Sequence, residues 1–348
     1  MLTLRYYDRR VSKKRALTGI KPTGAPHIAN YIGAIRPALA LTDEYDSFYF
    51  IADYHALTTV RDPRELRDLT YEVAAAWLAM GLDPENSTLY RQSDLPETFE
   101  LAWILNCITP KGMMNRAHAY KAAVDAAREQ NGEDGDLDAG INMGVYSYPV
   151  LMAADIILFS SHVVPVGRDQ SQHVEYARDI AQRFNHAYGN TLRVPELLLS
   201  ATAANIVGSD GRKMSKSYGN QIPLFAESAP LKKIIRRYKT DSSGANDPKD
   251  AEASGLFQIY REIATAEEAA GMKKALETGE MTWGACKDLT YDCVDAFLEE
   301  PRARYRELMA DVRQIDRILL AGAERARPEA RELLARTREA IGRVELRP

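Results

Sequence analysis

Lys213 and Lys216 stand three apart in the glycine- and serine-rich stretch GSDGRKMSKSYGN (208–220), with Arg212 beside them. Two ammonium groups on such a loop can close on a polyphosphate and neutralise the charge that develops as it is cleaved. A second anion site opens the chain. In TGIKPTGAPHIANYIGAIRPA (18–38), Thr23 and Gly24 allow a close backbone approach, and His27 and Asn30 lie three apart at a helix start. Exposed N–H groups and the helix dipole favour phosphate there. Each segment alone also has a plainer reading, the first as a solvated basic loop and the second as a capped helix after a tight turn. The third feature is a lone carboxylate, Asp155, set among Met152, Ala153, Ala154, Ile156 and Ile157. Those apolar neighbours argue against an incidental solvent position.

These residues need a scaffold, and the pattern of the chain supplies one. Residues 15–20 read as a strand running into the glycine–proline turn, followed by a helix from about Pro26 to Leu41. DSFYFIADYHAL (46–57) reads as a strand, 63–80 as a helix and STLYRQS (87–93) as a strand, and Pro96 begins another helix. Strand and helix alternating at this spacing predict an α/β fold, a doubly wound (Rossmann-like) parallel sheet. Such sheets bind ligands at the carboxyl ends of their strands. Residues 105–160 interrupt the alternation as a helical insertion. It carries the acidic loop REQNGEDGDLDAG (128–140), which lacks EF-hand spacing and reads as a surface loop. HVVPVG (162–167) gives a further strand, and Asp169 caps a helix with Val174, Ala177, Ala181 and Phe184 on one face. From 226 to 348 only amphipathic helices are expected, so two domains are predicted, 1–225 and 226–348.

Composition bounds the function. The 348 residues are 45% hydrophobic and 27% charged, with a net charge of −4, so any nucleic-acid contact must come from local basic patches. Cys107, Cys286 and Cys293 have the spacing of neither a zinc site nor a disulfide framework, and no metal site is read from the spacing. No apolar run approaches the roughly 20 residues of a membrane span. The basic start MLTLRYYDRRVSKKR lacks the apolar stretch of a secretory signal, so no membrane partner and a cytoplasmic location are expected.

PHIAN (26–30) and KMSKS (213–217) resemble the paired signatures of class I aminoacyl-tRNA synthetases. YPVLMAADIILF (148–159) followed by VPVGRDQSQHVEYARDIAQRF (164–184) is similar to the tryptophan-handling branch of that family. The resemblance runs from about Leu17 to Ser217 and continues through TDSSG (240–244) and the helical tail. It implies activation of L-tryptophan with ATP and Mg²⁺, then transfer to tRNA(Trp). His27 and Asn30 would face the α-phosphate, while Lys213, Ser215 and Lys216 hold the departing pyrophosphate. Lys21, Thr23, Gly24 and Ala29 would complete the ATP site. Met214 and Ile206 would lie against adenine, with Gly167 and Asp169 at the ribose. Asp155 would accept from the indole N–H, which has only a donor to offer. Tyr148 and Gln170 would take the ammonium, and His55 would lie near the carboxylate. Met152, Val164 and Val166 would wall the ring.

Two departures stand out. The first motif of the family usually carries Gly where this chain has Ala29, and the segment 115–125 departs from a pattern that brings a further lysine to the phosphates, with Lys121 the candidate. The resemblance also implies a homodimer with the 105–160 region at its two-fold, a catalytic domain over 1–225 and an anticodon-binding domain over 226–348. KKIIRRYK (232–239) and RARYR (302–306) are the basic clusters there. The alternatives are a tyrosine–tRNA ligase, a non-catalytic tryptophan- or tRNA-binding relative, and an adenylating enzyme with another acceptor.

Overall fold

The computed structural model describes residues 13–132, 135–167, 171–199 and 206–343. The first twelve residues of the basic start, with Asp169 and Gln170, lie outside that set. Five parallel strands, β1 (Arg15–Ile20), β2 (Asp46–Ile51), β3 (Thr88–Arg91), β4 (Val163–Val166) and β5 (Glu196–Leu199), form one sheet in the order β3-β2-β1-β4-β5. The winding reverses between β1 and β4, and a crevice forms outside the strand ends at such a reversal.

β2 is buried along its whole length, as a parallel strand covered on both faces must be. It pairs with β1 from Arg15↔Asp46 to Ile20↔Ile51. The strand expected through residue 57 ends at Ile51, and Asp53–Ala56 turns into a short helix. Polar contacts to the β3 exit fix that turn: Asp53 accepts from the Ser93 N–H at 3.1 Å, and Gln92 from the Tyr54 N–H at 3.2 Å. The Pro63–Ala79 helix starts where Asp62 caps it, accepting from the Arg64 N–H at 2.7 Å with Pro63 in the first turn. β5 has no counterpart in the sequence reading. Four residues after Pro195 carry too little periodicity to announce a strand.

The opening helix is not uniform. It runs Ile28–Asn30, turns π-helical over Tyr31–Ile35, and resumes over Arg36–Leu39. Pro37 lacks the N–H that an α-helical rung to Gly33 would use. Helices alone follow residue 225 among the described residues, ending with Trp283–Ala310 and Arg313–Ala340. No helix among the described residues is long and apolar enough to cross a membrane.

The last helix covers the β3 edge, which would otherwise offer unpaired backbone. Arg325 donates to the Pro84 carbonyl at 2.6 Å, Arg327 to the Asp94 carbonyl at 2.8 Å, and Arg331 to Glu97 at 3.0 Å. Gly322 permits the approach, since a Cβ there would fall 1.7 Å from the Leu89 carbonyl oxygen. Gly322→Ala should therefore force the helix off the edge and lower stability by about 3 kcal/mol. Denaturant unfolding reads this directly, and an unchanged midpoint would mean that the contact carries no load.

Candidate active site

The carboxyl ends of β1 and β4 open into one cavity of about 880 Å³. Its floor begins with Lys21, whose ammonium donates to Thr58 Oγ1 at 2.7 Å. Gly24 follows with φ of +150°, a conformation that favours glycine. At the helix start the His27 N–H donates to Asn30 Oδ1 at 3.0 Å. Asn30 thus spends its carbonyl on the turn and keeps its NH₂ for a ligand. Thr23, Ala29 and both of these residues line the cavity.

The lysine loop forms the facing wall. The Met214 N–H donates to the Ile206 carbonyl at 2.8 Å, and both side chains are buried. Lys213, Ser215 and Lys216 line the cavity with them. Two backbone rungs join this wall to the opening turn: Ile28 N–H to the Ile222 carbonyl at 3.0 Å, and Leu224 N–H to the Pro26 carbonyl at 2.9 Å. Lys216 crosses the gap. A Cβ built on Gly24 would sit 2.1 Å from its Nζ, so the ammonium rests directly on the turn. Burial lowers the Lys216 pKa, and the Glu72 carboxylate works against that shift.

His27 is buried, and its Nδ1 has no hydrogen-bond partner. Burial first, and the Lys216 charge second, push its pKa down to about 4. A neutral imidazole thus faces the cavity at pH 7. The unfolded chain takes up this proton near pH 6.5 and the folded chain only near 4, so stability holds above 6.5 and falls as the pH drops through that window. The melting temperature of His27→Asn should fall less than that of the unaltered protein between pH 7 and pH 5. Equal falls would remove His27 as a cause.

The other end of the cavity is apolar with a few polar groups. Tyr148 and Met152 reach it from the Met143–Leu158 helix, and Val164, Val166 and Gly167 from the end of β4. His55 reaches it from the turn after β2. Tyr148 Oη lies 3.1 Å from His173 Nε2, and burial pushes the Tyr148 phenol up to about 12. Asp155 is set back. It is 2% exposed and does not line the cavity, although it shares a helix face with Tyr148 and Met152. Its carboxylate lies 2.9 Å from His55 Nε2 and accepts from Gln92 Nε2 at 2.9 and 3.0 Å. Burial raises its pKa, opposed by His55 and then Gln92.

Every described residue expected at the site, Asp155 and the candidate Lys121 excepted, therefore lines one cavity; Asp169 and Gln170 fall outside the described set. Lys121 is exposed and does not line it, whereas Ala119 does. Sequence reasoning missed Gln92, Thr58 and Thr18, whose buried hydroxyl lines the cavity with no hydrogen-bond partner. The position of Gln92 just past β3, at the ligand-binding edge, was the available signal.

The model of the family described as tRNA synthetases class I (W and Y) matches residues 10–299. A tryptophan–tRNA ligase of Neisseria meningitidis is 52% identical over 334 residues, covering 95% of this chain and 98% of that protein. The Pseudomonas aeruginosa ligase of that name is 52% identical over 339 residues, covering 96% and 75%. The chain belongs to the class I tryptophan–tRNA ligases. A solved tryptophanyl-tRNA synthetase from Campylobacter jejuni, complexed with ADP and tryptophan, superposes with a TM-score of 0.83 at 40% identity. It covers 94% of this ligase and 99% of its own chain. Identity of about half over nearly the full length decides for the tryptophan branch against the tyrosine alternative.

Proposed function

We propose a division of labour within this cavity for the ligase reaction. The enzyme is an ATP-dependent aminoacyl-tRNA synthetase that joins tryptophan to tRNA. A carboxylate oxygen of tryptophan attacks the α-phosphorus of ATP in line, the bond to the bridging oxygen breaks, and pyrophosphate leaves. The tRNA 3′-ribose hydroxyl then attacks the adenylate carbonyl and releases AMP. No side-chain nucleophile is required, because positioning and charge stabilisation carry both steps.

His27 and the Asn30 NH₂ take the α-phosphate, with the Thr23–Gly24 backbone and Lys21 beside it. Lys213, Ser215 and Lys216 hold the departing pyrophosphate. Met214, Ile206 and Ala29 pack against adenine, and Gly167 and Asp169 hold the ribose. Met152, Val164 and Val166 wall the indole; Tyr148 and Gln170 take the ammonium, and His55 the carboxylate. Asp155 accepts from the indole N–H through the part of its carboxylate that His55 and Gln92 leave unused. The lining residues supply lysines, imidazoles, hydroxyls and amides, a set suited to phosphate oxygens and not to a bare metal ion. Mg²⁺ would therefore be held by the triphosphate, where it would supply charge neutralisation.

The helical part, 226–348, serves the anticodon, with 232–239 as its basic strip; phosphate contacts of that kind position RNA without reading it. A homodimer forms around the 105–160 region, where Met143 is 71% exposed, as is Trp103 just ahead of it. The enzyme works in the cytoplasm.

The observation that carries this reading is the contact of Lys216 with Gly24, which brings both signature segments to one cavity. Amino-acid-dependent ATP–pyrophosphate exchange over tryptophan, tyrosine and phenylalanine tests it. Exchange with tryptophan alone is expected. Exchange with tyrosine would overturn the specificity, and none with any would favour the binding-protein alternative.

A further inference from the structure

The lysine loop has a lock that the signature sequence does not include. Asn220 is 2% exposed and reaches back under the loop. Its Nδ2 donates to Asp210 Oδ1 at 2.6 Å and to the Lys213 carbonyl at 3.1 Å. Its Oδ1 accepts from the Ser215 N–H at 2.8 Å. The Asn220 carbonyl in turn accepts from the Ser209 N–H at 3.0 Å. One amide thus grips the peptide groups on both sides of Met214, which lies between the two catalytic positions Lys213 and Ser215. Gly208 makes room for it, since a Cβ there would lie 2.4 Å from Asn220 Cγ.

Asp210 is held from a second side, by the Arg212 N–H at 3.0 Å and the Arg212 guanidinium Nε at 2.7 Å. Two residues beyond Asn220, the Ile222 carbonyl takes the Ile28 N–H of the opening helix. The amide therefore sits where the path of the loop is handed to the helix that carries His27. A side chain that donates to two acceptors and accepts from one donor at this size must be an amide. Aspartate keeps the acceptor and loses both donors; alanine loses everything.

We propose that Asn220 is a positioning residue for the activation step, and that its contact with Asp210 is the latch holding Lys213 and Lys216 on the leaving pyrophosphate. This rests on the ligase reading, which makes pyrophosphate the leaving group. With the latch released, the lysines still bind ATP in the ground state but sample many positions as the bond breaks. The loss therefore falls on kcat and leaves tryptophan binding alone.

Three variants test it: Asn220→Ala, Asn220→Asp, and the exchange Asn220→Asp with Asp210→Asn. The exchange restores one amide–carboxylate contact with its polarity reversed. In tryptophan-dependent pyrophosphate exchange, Asn220→Ala should lower kcat by about 100-fold. Its tryptophan Kd by equilibrium dialysis should stay within about twofold. Asn220→Asp sets two carboxylates against each other and should be slower still. The double exchange should recover at least about tenfold over it. Independently of activity, hydrogen exchange at the Met214 to Ser217 amides should quicken in Asn220→Ala. A kcat within about threefold of the parent, tryptophan binding weakened as much as kcat, no recovery in the double exchange, or unchanged amide protection would each overturn the latch. Failure of the parent enzyme to exchange would sink the ligase reading instead, and amide protection would still decide the latch.

Discussion

Lys216→Ala should lower tryptophan-dependent pyrophosphate exchange by about 10³-fold, with tryptophan binding unchanged. The ammonium it removes is partly buried, so water cannot replace its charge at the leaving group. It also rests on Gly24, at the mouth of the turn where the proposed α-phosphate site begins. A donor aimed at developing charge in such a place is worth more than one in solvent. Lys216→Arg should recover little. The planar guanidinium is wider than an ammonium, and the space against Gly24 accommodates the narrow end of a lysine. Gly24→Ala supplies the converse test, because it leaves the lysine in place and removes its seat. The added methyl would lie 2.1 Å from Nζ and would require an alanine at φ of +150°. Steady-state kinetics on the three variants should show large losses in kcat for both Lys216→Ala and Gly24→Ala. If Lys216→Ala retains more than about a tenth of the parent rate, Lys213 alone serves the leaving group and the seat on Gly24 is incidental.

The strands that carry the site were legible because parallel strands buried on both faces read as continuous apolar runs, as in FYFI of β2. The turn after β1 was legible for a different reason. Pro22, Gly24 and Pro26 restrict or free φ in ways that only a particular backbone path uses. The end of β2 was misjudged because ADYHAL keeps the aromatic and apolar character of a strand. Groups just past β3, the Gln92 side chain and the Ser93 N–H, fix the helical turn there. Such a decision is made by residues about forty positions away, and no local pattern records it. The seat of the last helix on β3 was hidden in the same way, since Gly322 in a helical sequence gives no sign of which carbonyl it approaches. At the site, the residue types were readable and their pairings were not. Asp155 was marked out by its apolar neighbours, yet the partners that hold it come from the turns that follow β2 and β3.

Those partners make Asp155→Ala the more informative of the changes on the tryptophan side. The variant removes the acceptor for His55 Nε2 and for Gln92 Nε2, two groups that are themselves buried. Leaving buried donors unpaired costs about 1–3 kcal/mol each. The expected result is a loss of about 10²–10³ in kcat/KM for tryptophan, with KM for ATP within about twofold of the parent. Equal losses for both substrates would mean a general collapse of the cavity. The loss alone does not say whether Asp155 meets the indole or acts only by holding His55. A sulfur-for-N–H analogue of tryptophan, with a benzothiophene in place of indole, separates the two. A site that hydrogen-bonds a substrate N–H rejects the analogue lacking it, because its own acceptor is then left buried and unpaired. If Asp155 accepts from the indole, the parent enzyme discriminates against the analogue and Asp155→Ala does not. If Asp155 acts only through His55, the discrimination is the same in both enzymes while the absolute rates fall together. The first pattern is the one expected, because Tyr148, Met152 and Asp155 share one face of their helix and two of the three already line the cavity.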